Sequence, residues 1–116
     1  MQLAIAEAQA RLGAARSYVF SSLEAQWRKL ESGEPLTTHE RADVWLSRTN
    51  AFQEARRVVT LLYDTLGANA IYADRGPFDR HLRDIQTACQ HIVGQTKAWE
   101  GVGQMLLGGE VTTPML

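Results

Sequence analysis

One short segment of the chain concentrates the side chains that could take part in chemistry. Arg80, Asp84, Thr87 and His91 follow one another at spacings of four, three and four residues, so a helix would place them on one polar face. A histidine in such company can act as a general acid, a general base or a hydrogen-bond donor. The same spacing is also typical of a solvated helix face, and a lone helical histidine is more often a half-exposed packing residue. The spacing alone leaves both interpretations open.

Two further features lie beside this polar face. Arg83 and Asp84 are adjacent, and neighbouring helical positions point about 100° apart, so the two side chains cannot pair with each other. We therefore expect each to find a partner on another element and to organise the position of the helix. Gly94 follows His91 by one turn, and a glycine there is expected to leave room for a planar ring to approach the backbone.

The composition gives little support to other chemistries and partners. The three histidines, His39, His81 and His91, lack metal-ligand spacing with each other or with Cys89, so no metal site is predicted. No phosphate-binding loop or nucleophile elbow occurs. A net charge of −1 provides no electrostatic attraction for nucleic acid or an anionic membrane, and no segment is predicted to span a membrane. The single cysteine fits a reducing compartment, so we expect a cytoplasmic protein.

Helical periodicity runs through most of the chain, and no segment alternates like a strand, which predicts an all-α fold. Helix one is expected over residues 2–31. Helix two begins with the capping box of Thr37 and Glu40 and ends at Gly67. Each of the two helices carries an apolar stripe expected to be buried. The stripes consist of Leu12, Val19, Leu23, Trp27 and Leu30 in helix one, and of Trp45, Phe52, Ala55, Val59, Leu62 and Leu66 in helix two.

The remaining part of the chain predicts two shorter helices. Gly76 and Pro77 start helix three, because Pro suits the first helical turn. We favour a break near Gly94 and a fourth helix over about 95–107, although a continuous helix through Gly94 fits the pattern nearly as well. Long helices joined by a short loop predict an antiparallel up-and-down four-helix bundle over residues 1–107. Residues 108–116 are expected to form a flexible tail.

The segment from Leu66 to His91, LGANAIYADRGPFDRHLRDIQTACQH, resembles the C-terminal helical domain of the acyl-CoA dehydrogenase superfamily. In the dehydrogenases of that family, a glycine pair, a Pro-started helix and Arg-Asp precede a Glu-Gly-Thr run whose Glu is the usual catalytic base. Here the sequence Ile-Val-Gly occupies those positions, at residues 92–94. The flavin-dependent monooxygenases built on the same fold carry a histidine eight residues after the Arg, and His91 lies eight residues after Arg83. The resemblance is therefore to the monooxygenase branch.

This resemblance implies roles for particular residues. His91 would be the catalytic residue beside the flavin ring and oxygen, and the neighbouring polar face would line the cofactor site. The glycine pair of the dehydrogenases lies beside the flavin pyrophosphate, where backbone N–H groups approach phosphate oxygens. Ala68 replaces the second glycine here, which argues against close approach, and Gly67 could equally be only a helix stop. The cofactor-binding residues implied in this way are Gly67, Ala68, Asn69, Arg80, Asp84 and Thr87.

The resemblance also implies a function for the whole protein. It identifies the chain as the last part of a larger flavoenzyme that oxygenates an aromatic or polycyclic substrate with O₂ and FAD or FMN. A separate flavin reductase would supply the reduced cofactor, and the bundle would form the core of a dimer or tetramer. Trp27, Trp45 and Trp99 are expected in the core or at this subunit interface. The isolated domain is expected to be inactive. Two alternatives stay open: an acyl-CoA dehydrogenase-like oxidoreductase domain and a non-catalytic helical interaction module.

Overall fold

The computed structural model describes residues 1–110, and these residues form four α-helices joined by turns and short 3₁₀ segments. The helices are α1 (Gln2–Glu31), α2 (Thr38–Leu66), α3 (Phe78–Ala88) and α4 (Trp99–Leu106). The 3₁₀ segments are Gly67–Ile71, Ala73–Arg75, Ile92–Gly94 and Thr96–Ala98. No strand occurs within residues 1–110, so the all-α prediction with four helices is confirmed. The predicted tail mostly falls on residues 111–116, which lie outside the described part.

The ends of α2 agree with the signals in the sequence. The Thr37 hydroxyl accepts a hydrogen bond from the Glu40 backbone N–H at 3.2 Å, and the Glu40 carboxylate accepts one from the Thr37 N–H at 2.8 Å. This capping box satisfies two N–H groups that have no partner inside the helix. At the other end, Gly67 has a φ of 58°, a conformation that side-chain-bearing residues rarely adopt. Glycine therefore stops α2 at the predicted position.

Three polar contacts show that α1 and α2 run antiparallel. The contacts occur in ascending order along α1 and in descending order along α2, as two helices joined by a short loop require. The hydrogen bonds join Arg11 Nη1 to Glu54 Oε2 at 3.0 Å, Ser22 Oγ to Ser47 Oγ at 2.8 Å, and Lys29 Nζ to Glu40 Oε1 at 2.5 Å.

The apolar stripe predicted to be the buried face of α1 is mostly exposed, so this expectation was wrong. Trp27 is 64% exposed and Leu30 is 51% exposed. The buried positions of α1 are instead Ala4, Ala8 and Ala15. Because alanine side chains are short, the backbones of α1 and α2 can approach closely along this face. The larger apolar side chains therefore lie on another side of α1, where no other part of residues 1–110 covers them.

The central element is α2, which contacts α1, α3 and α4 as well as three of the 3₁₀ segments. At its N-terminal half, Ala42 and Trp45 pack with Val102 of α4 to form a small core. Trp45 is only 4% exposed, so its predicted place in the core is confirmed. The other predicted stripe positions of α2 are half-buried: Phe52, Ala55, Val59, Leu62 and Leu66.

Helix α3 ends at Ala88, well before the predicted break near Gly94, and α4 begins only at Trp99. The alternative of one continuous helix is therefore wrong. The physical reason lies in contacts with α2. Cys89 is 2% exposed and its thiol donates to the Phe52 carbonyl oxygen at 3.5 Å, and Gly94 is also buried. The chain leaves the helical path at these two points so that it can pack against α2.

Replacing Trp45 by Ala should lower the free energy of unfolding by about 3–5 kcal/mol, because a buried indole leaves a large cavity. Trp27→Ala is the matched control, since Trp27 is exposed and its loss should change stability by less than about 1 kcal/mol. Urea denaturation at low protein concentration measures both changes. Equal losses in the two variants would contradict the core described here.

Acid should weaken the contact between α1 and α2 through Glu54. Burial raises the pKa of this carboxyl, but hydrogen bonds from Arg11 and Arg57 outweigh that effect and hold the pKa below its usual range. A carboxyl with a lowered pKa in the folded state stabilises the fold at neutral pH, and that contribution disappears as the pH falls through the folded pKa. The free energy of unfolding should therefore decline below about pH 4.3 more steeply in the wild type than in Glu54→Gln. Glu24→Gln is the control, because the Glu24–Arg28 pair lies in solvent and contributes little.

Candidate functional site

His91 lies in a turn that joins α3 to α4, and its side chain is exposed. Its backbone is extended, with φ −61° and ψ 141°, and it precedes the 3₁₀ segment Ile92–Gly94. The sequence had placed His91 on the same helix face as Arg80, Asp84 and Thr87, and this placement was wrong because α3 ends at Ala88. We refer to residues 89–94 as the His91 turn.

The imidazole of His91 has a defined relation to its own turn. The Val93 backbone N–H donates to Nδ1 at 3.3 Å, and the Gly94 N–H donates to the His91 carbonyl oxygen at 2.8 Å. When Nδ1 accepts, a neutral imidazole carries its proton on Nε2, a tautomer assigned here from the hydrogen-bond network. Among residues 1–110 no side chain or backbone group hydrogen-bonds to Nε2. The turn can therefore present an N–H donor towards the surroundings of the domain.

Two buried polar side chains of α2 hold the other side of this turn. The Thr49 hydroxyl donates to the Val93 carbonyl oxygen at 2.8 Å, and the Gln53 amide donates to the Gly94 carbonyl oxygen at 2.5 Å. Thr49 is 0% exposed and Gln53 is 4% exposed. Neither residue was predicted from the sequence. The signal that could have revealed them is a pair of polar residues four positions apart on the side of α2 that also carries Trp45.

Gly94 does not leave space for a planar ring, contrary to the expectation from the sequence. A Cβ atom at this position would lie 3.0 Å from Phe52 Cδ1, 3.1 Å from the Cys89 Cα and 3.2 Å from the Ala88 carbonyl oxygen. The room that glycine provides is therefore filled by this chain itself. Glycine serves the close approach of the His91 turn to α2.

The charged residues of α3 pair along the helix surface. Arg80 Nε lies 3.6 Å from Asp84 Oδ2, and Arg83 Nε lies 3.1 Å from Asp79 Oδ2. The two residues of each pair are one helical turn apart, and both pairs are exposed. The expectation that Arg83 and Asp84 find partners on other elements was therefore wrong. Exposed pairs of this kind contribute little to stability. Thr87 is exposed as well, so the predicted cofactor residues of α3 are all open to an additional domain.

The segment Gly67–Asn69 is also exposed, at the start of the 3₁₀ segment that follows α2. A Cβ built on Gly67 would meet no heavy atom within 4 Å apart from its neighbours in the chain, although the Gly67 N–H itself already donates to the Asp64 carbonyl oxygen. The positive φ of Gly67 already explains why glycine stands there as a helix stop. Asn69 accepts a hydrogen bond from Arg75, which closes the loop before α3. The role of these three residues in binding a flavin stays a prediction.

Comparison with known proteins places these features in a family. The family model described as "Acyl-CoA dehydrogenase, C-terminal domain" matches residues 1–96 of the chain. The chain belongs to the acyl-CoA dehydrogenase family. The matched region contains α1, α2, α3 and the whole His91 turn, so the candidate site lies within the part that defines this family domain.

Three curated relatives align with this acyl-CoA dehydrogenase family domain. The indole-3-acetate monooxygenases of Pseudomonas putida and Acinetobacter baumannii are each 28% identical over 107 residues, which cover 92% of this chain and 27% of the relative. The pigment production hydroxylase of Rhodococcus erythropolis is 27% identical over 90 residues, which cover 78% of this chain and 23% of the relative. The chain thus spans about a quarter of the length of these relatives.

The described residues contain neither a metal-binding cluster nor a membrane-spanning helix. In residues 1–110 no group of three or more His, Cys, Asp or Glu side chains is arranged to hold a metal ion. Within the same range, no helix is both long and apolar enough to cross a membrane.

Gly94→Ala should lower the free energy of unfolding by about 1–3 kcal/mol, because the added methyl group would press on backbone atoms that cannot move independently. Gly103→Ala is the matched control. Gly103 lies inside α4 with no heavy atom within 4 Å of its Cβ position, so alanine there should stabilise the protein by about 0.4–1 kcal/mol. Thermal denaturation of the two variants gives the comparison. A neutral Gly94→Ala would mean that the His91 turn does not lie as close to α2 as described.

Proposed function

We propose that this chain is the C-terminal helical domain of a flavin-dependent monooxygenase of the acyl-CoA dehydrogenase fold, which oxygenates an aromatic substrate with O₂. The observation that carries the proposal is the exposed imidazole of His91, whose Nδ1 accepts from the backbone while Nε2 has no partner among residues 1–110. The names of the three relatives, two monooxygenases and a hydroxylase, support the same reaction class.

The lack of a proton acceptor at the position of the dehydrogenase base supports oxygenation over dehydrogenation. Where the dehydrogenases of this family carry their catalytic glutamate, this chain has Ile92, which is 56% exposed and cannot accept a proton. The neighbouring residue, His91, has a side chain that can donate or accept a proton. With Nδ1 accepting from Val93, the proton of a neutral ring stands on Nε2 and is available to an oxygen atom in the site.

Several exposed residues of this domain carry polar or charged groups that suit a bound flavin. FAD or FMN, reduced by a separate flavin reductase, would supply the electrons that activate O₂. Gly67–Asn69 is an exposed segment that a cofactor can approach, although the Gly67 N–H already donates to the Asp64 carbonyl oxygen, and Arg80 offers phosphate oxygens a cation with only an exposed partner. Asp84 and Thr87 add polar atoms on the same exposed helix surface. These residues would hold the cofactor, and His91 would act on oxygen.

The exposed apolar side of α1 supports a larger assembly. Phe20, Leu23, Trp27 and Leu30 line a surface groove of about 440 Å³, and Trp27 is 64% exposed. Apolar surface of this extent on a small domain is normally covered by another subunit or domain. We propose that the complete cytoplasmic enzyme is a dimer or tetramer and that the isolated domain is inactive, since it spans only 27% of the monooxygenase relatives.

The central test replaces His91 in an active enzyme. Residues 1–107 would replace the matching segment of the P. putida indole-3-acetate monooxygenase, which supplies the other three quarters of the protein. In this fusion, His91→Ala should slow oxygenation by ~10² to 10⁴, the usual contribution of a positioned acid or base, and leave flavin affinity within a few-fold. Substrate oxidation, oxygen uptake and released hydrogen peroxide would be measured together, with peroxide rising in the variant.

His81→Ala is the matched control, because His81 is another exposed histidine of this segment and lies on α3 rather than in the His91 turn. It should oxygenate at the rate of the unchanged fusion. Oxygenation by His91→Ala at that same rate, with no additional peroxide, would remove His91 from the mechanism. A fusion that reduces its flavin with an acyl thioester would indicate a dehydrogenase, and a fusion that binds no flavin would indicate a non-catalytic module.

A further inference from the structure

The hydrogen bonds between α2 and the His91 turn raise the question of why buried polar side chains are used there. Thr49 and Gln53 are almost fully buried, and a buried polar group costs free energy unless it finds a partner. Apolar side chains would pack against α2 without that requirement. Both residues instead direct their donors away from their own helix to consecutive carbonyl groups, at Val93 and Gly94. The pair therefore defines where these two peptide groups lie.

The orientation of the Gln53 amide is fixed by its two neighbours. Arg56 donates to Gln53 Oε1 at 2.6 Å, and a guanidinium has no acceptor, so this side of the amide must be the oxygen. The opposite side faces the Gly94 carbonyl, which has no donor, so it must be the NH₂ group. Only one orientation satisfies both contacts, so the Gln53 amide cannot rotate by 180° to exchange the positions of its NH₂ group and its oxygen.

The upstream end of the turn is held by the same stretch of α2. Cys89 is buried and its thiol donates to the Phe52 carbonyl oxygen, while the Phe52 ring fills the space next to Gly94. Residues on both sides of His91 are thus fixed to α2 between Thr49 and Gln53. His91 itself remains exposed in the middle. The Val93 N–H donates to the His91 ring, and Thr49 holds the carbonyl oxygen of the same residue, Val93.

We propose that Thr49 and Gln53 are positioning residues for His91. By holding the carbonyls of Val93 and Gly94, they fix the turn that presents the Val93 N–H to Nδ1, and they thereby fix the direction of Nε2. The catalytic purpose of these contacts rests on the proposed function, in which Nε2 acts on oxygen. A misplacement of about 1 Å is enough to slow a positioned catalytic group by two orders of magnitude, so an exposed histidine on a free loop would be a poor catalyst.

The first test needs no cofactor and uses the complete 116-residue chain. Thr49→Val keeps the shape of the side chain and removes its donor, whereas Thr49→Ser keeps the donor. We expect amide hydrogen exchange at Val93 and Gly94 to accelerate roughly tenfold in Thr49→Val, as for the loss of one hydrogen bond, and to recover in Thr49→Ser. Gln53→Met, which removes the amide at similar volume, should accelerate exchange at Gly94 as well.

Ser47→Ala is the matched control, since Ser47 is equally buried but its hydroxyl bonds to Val44 and Ser22 rather than to the His91 turn. It should leave exchange at Val93 and Gly94 unchanged. If Thr49→Val does not change that exchange relative to Ser47→Ala, Thr49 does not hold the turn and the proposal is overturned.

The second test asks whether the contacts act through His91, and it uses the fusion enzyme described above. Thr49→Val should lower kcat roughly 10- to 100-fold with little change in KM, because substrate binding is untouched. In the His91→Ala background the same substitution should have no further effect. An unchanged kcat, or an equal loss with and without His91, would show a purely structural role. Full activity of His91→Ala alone would instead remove His91 from the mechanism and with it the catalytic purpose of these contacts, while the exchange data would still report whether Thr49 holds the turn.

Discussion

Four buried polar side chains of α2 find hydrogen-bond partners on other elements, and these contacts fix how those elements lie against it. Ser47 and Glu54 face α1, where Ser22 and Arg11 satisfy them. Thr49 and Gln53 lie on another side of α2 and are satisfied by the chain between α3 and α4. A single helix thus fixes the register of α1 on one side and the path of the His91 turn on the other. Each of these hydrogen bonds fixes both a distance and a direction, which apolar packing alone would not do.

The parts of the fold that could be predicted from the sequence are those governed by local interactions. The capping box at Thr37 and the glycine stop at Gly67 depend on neighbouring residues only, and both ends of α2 were predicted correctly. The end of α3 was not, because contacts of Cys89 and Gly94 with α2 interrupt a pattern that would otherwise continue as a helix. The buried face of α1 was also missed, since periodicity identifies the larger apolar residues while close helix packing uses alanine.

The candidate site also has one part that could be predicted from the sequence and one part that could not. His91 was identified through its spacing from Arg83, a feature of sequence that does not depend on how the intervening residues fold. Its surroundings were not predictable, because Thr49 and Gln53 lie about 40 positions away in the chain and meet the turn only through tertiary contacts. Polar residues within a buried stripe are a general sign of such contacts. Their partners, however, become apparent only when the fold is known.

The alanine face of α1 has a consequence for how readily this helix separates from the rest of the domain. Its fully buried positions, Ala4, Ala8 and Ala15, each remove little apolar area from water, and ion pairs and hydroxyl contacts supply further links to α2. Local opening free energies follow the amount of apolar burial. Separation of α1 therefore needs less free energy than larger buried side chains would require, and it breaks none of the hydrogen bonds that hold the His91 turn on α2. Coverage of the exposed side of α1 by another subunit would add apolar burial, so that quaternary contacts would lengthen the time for which α1 remains docked.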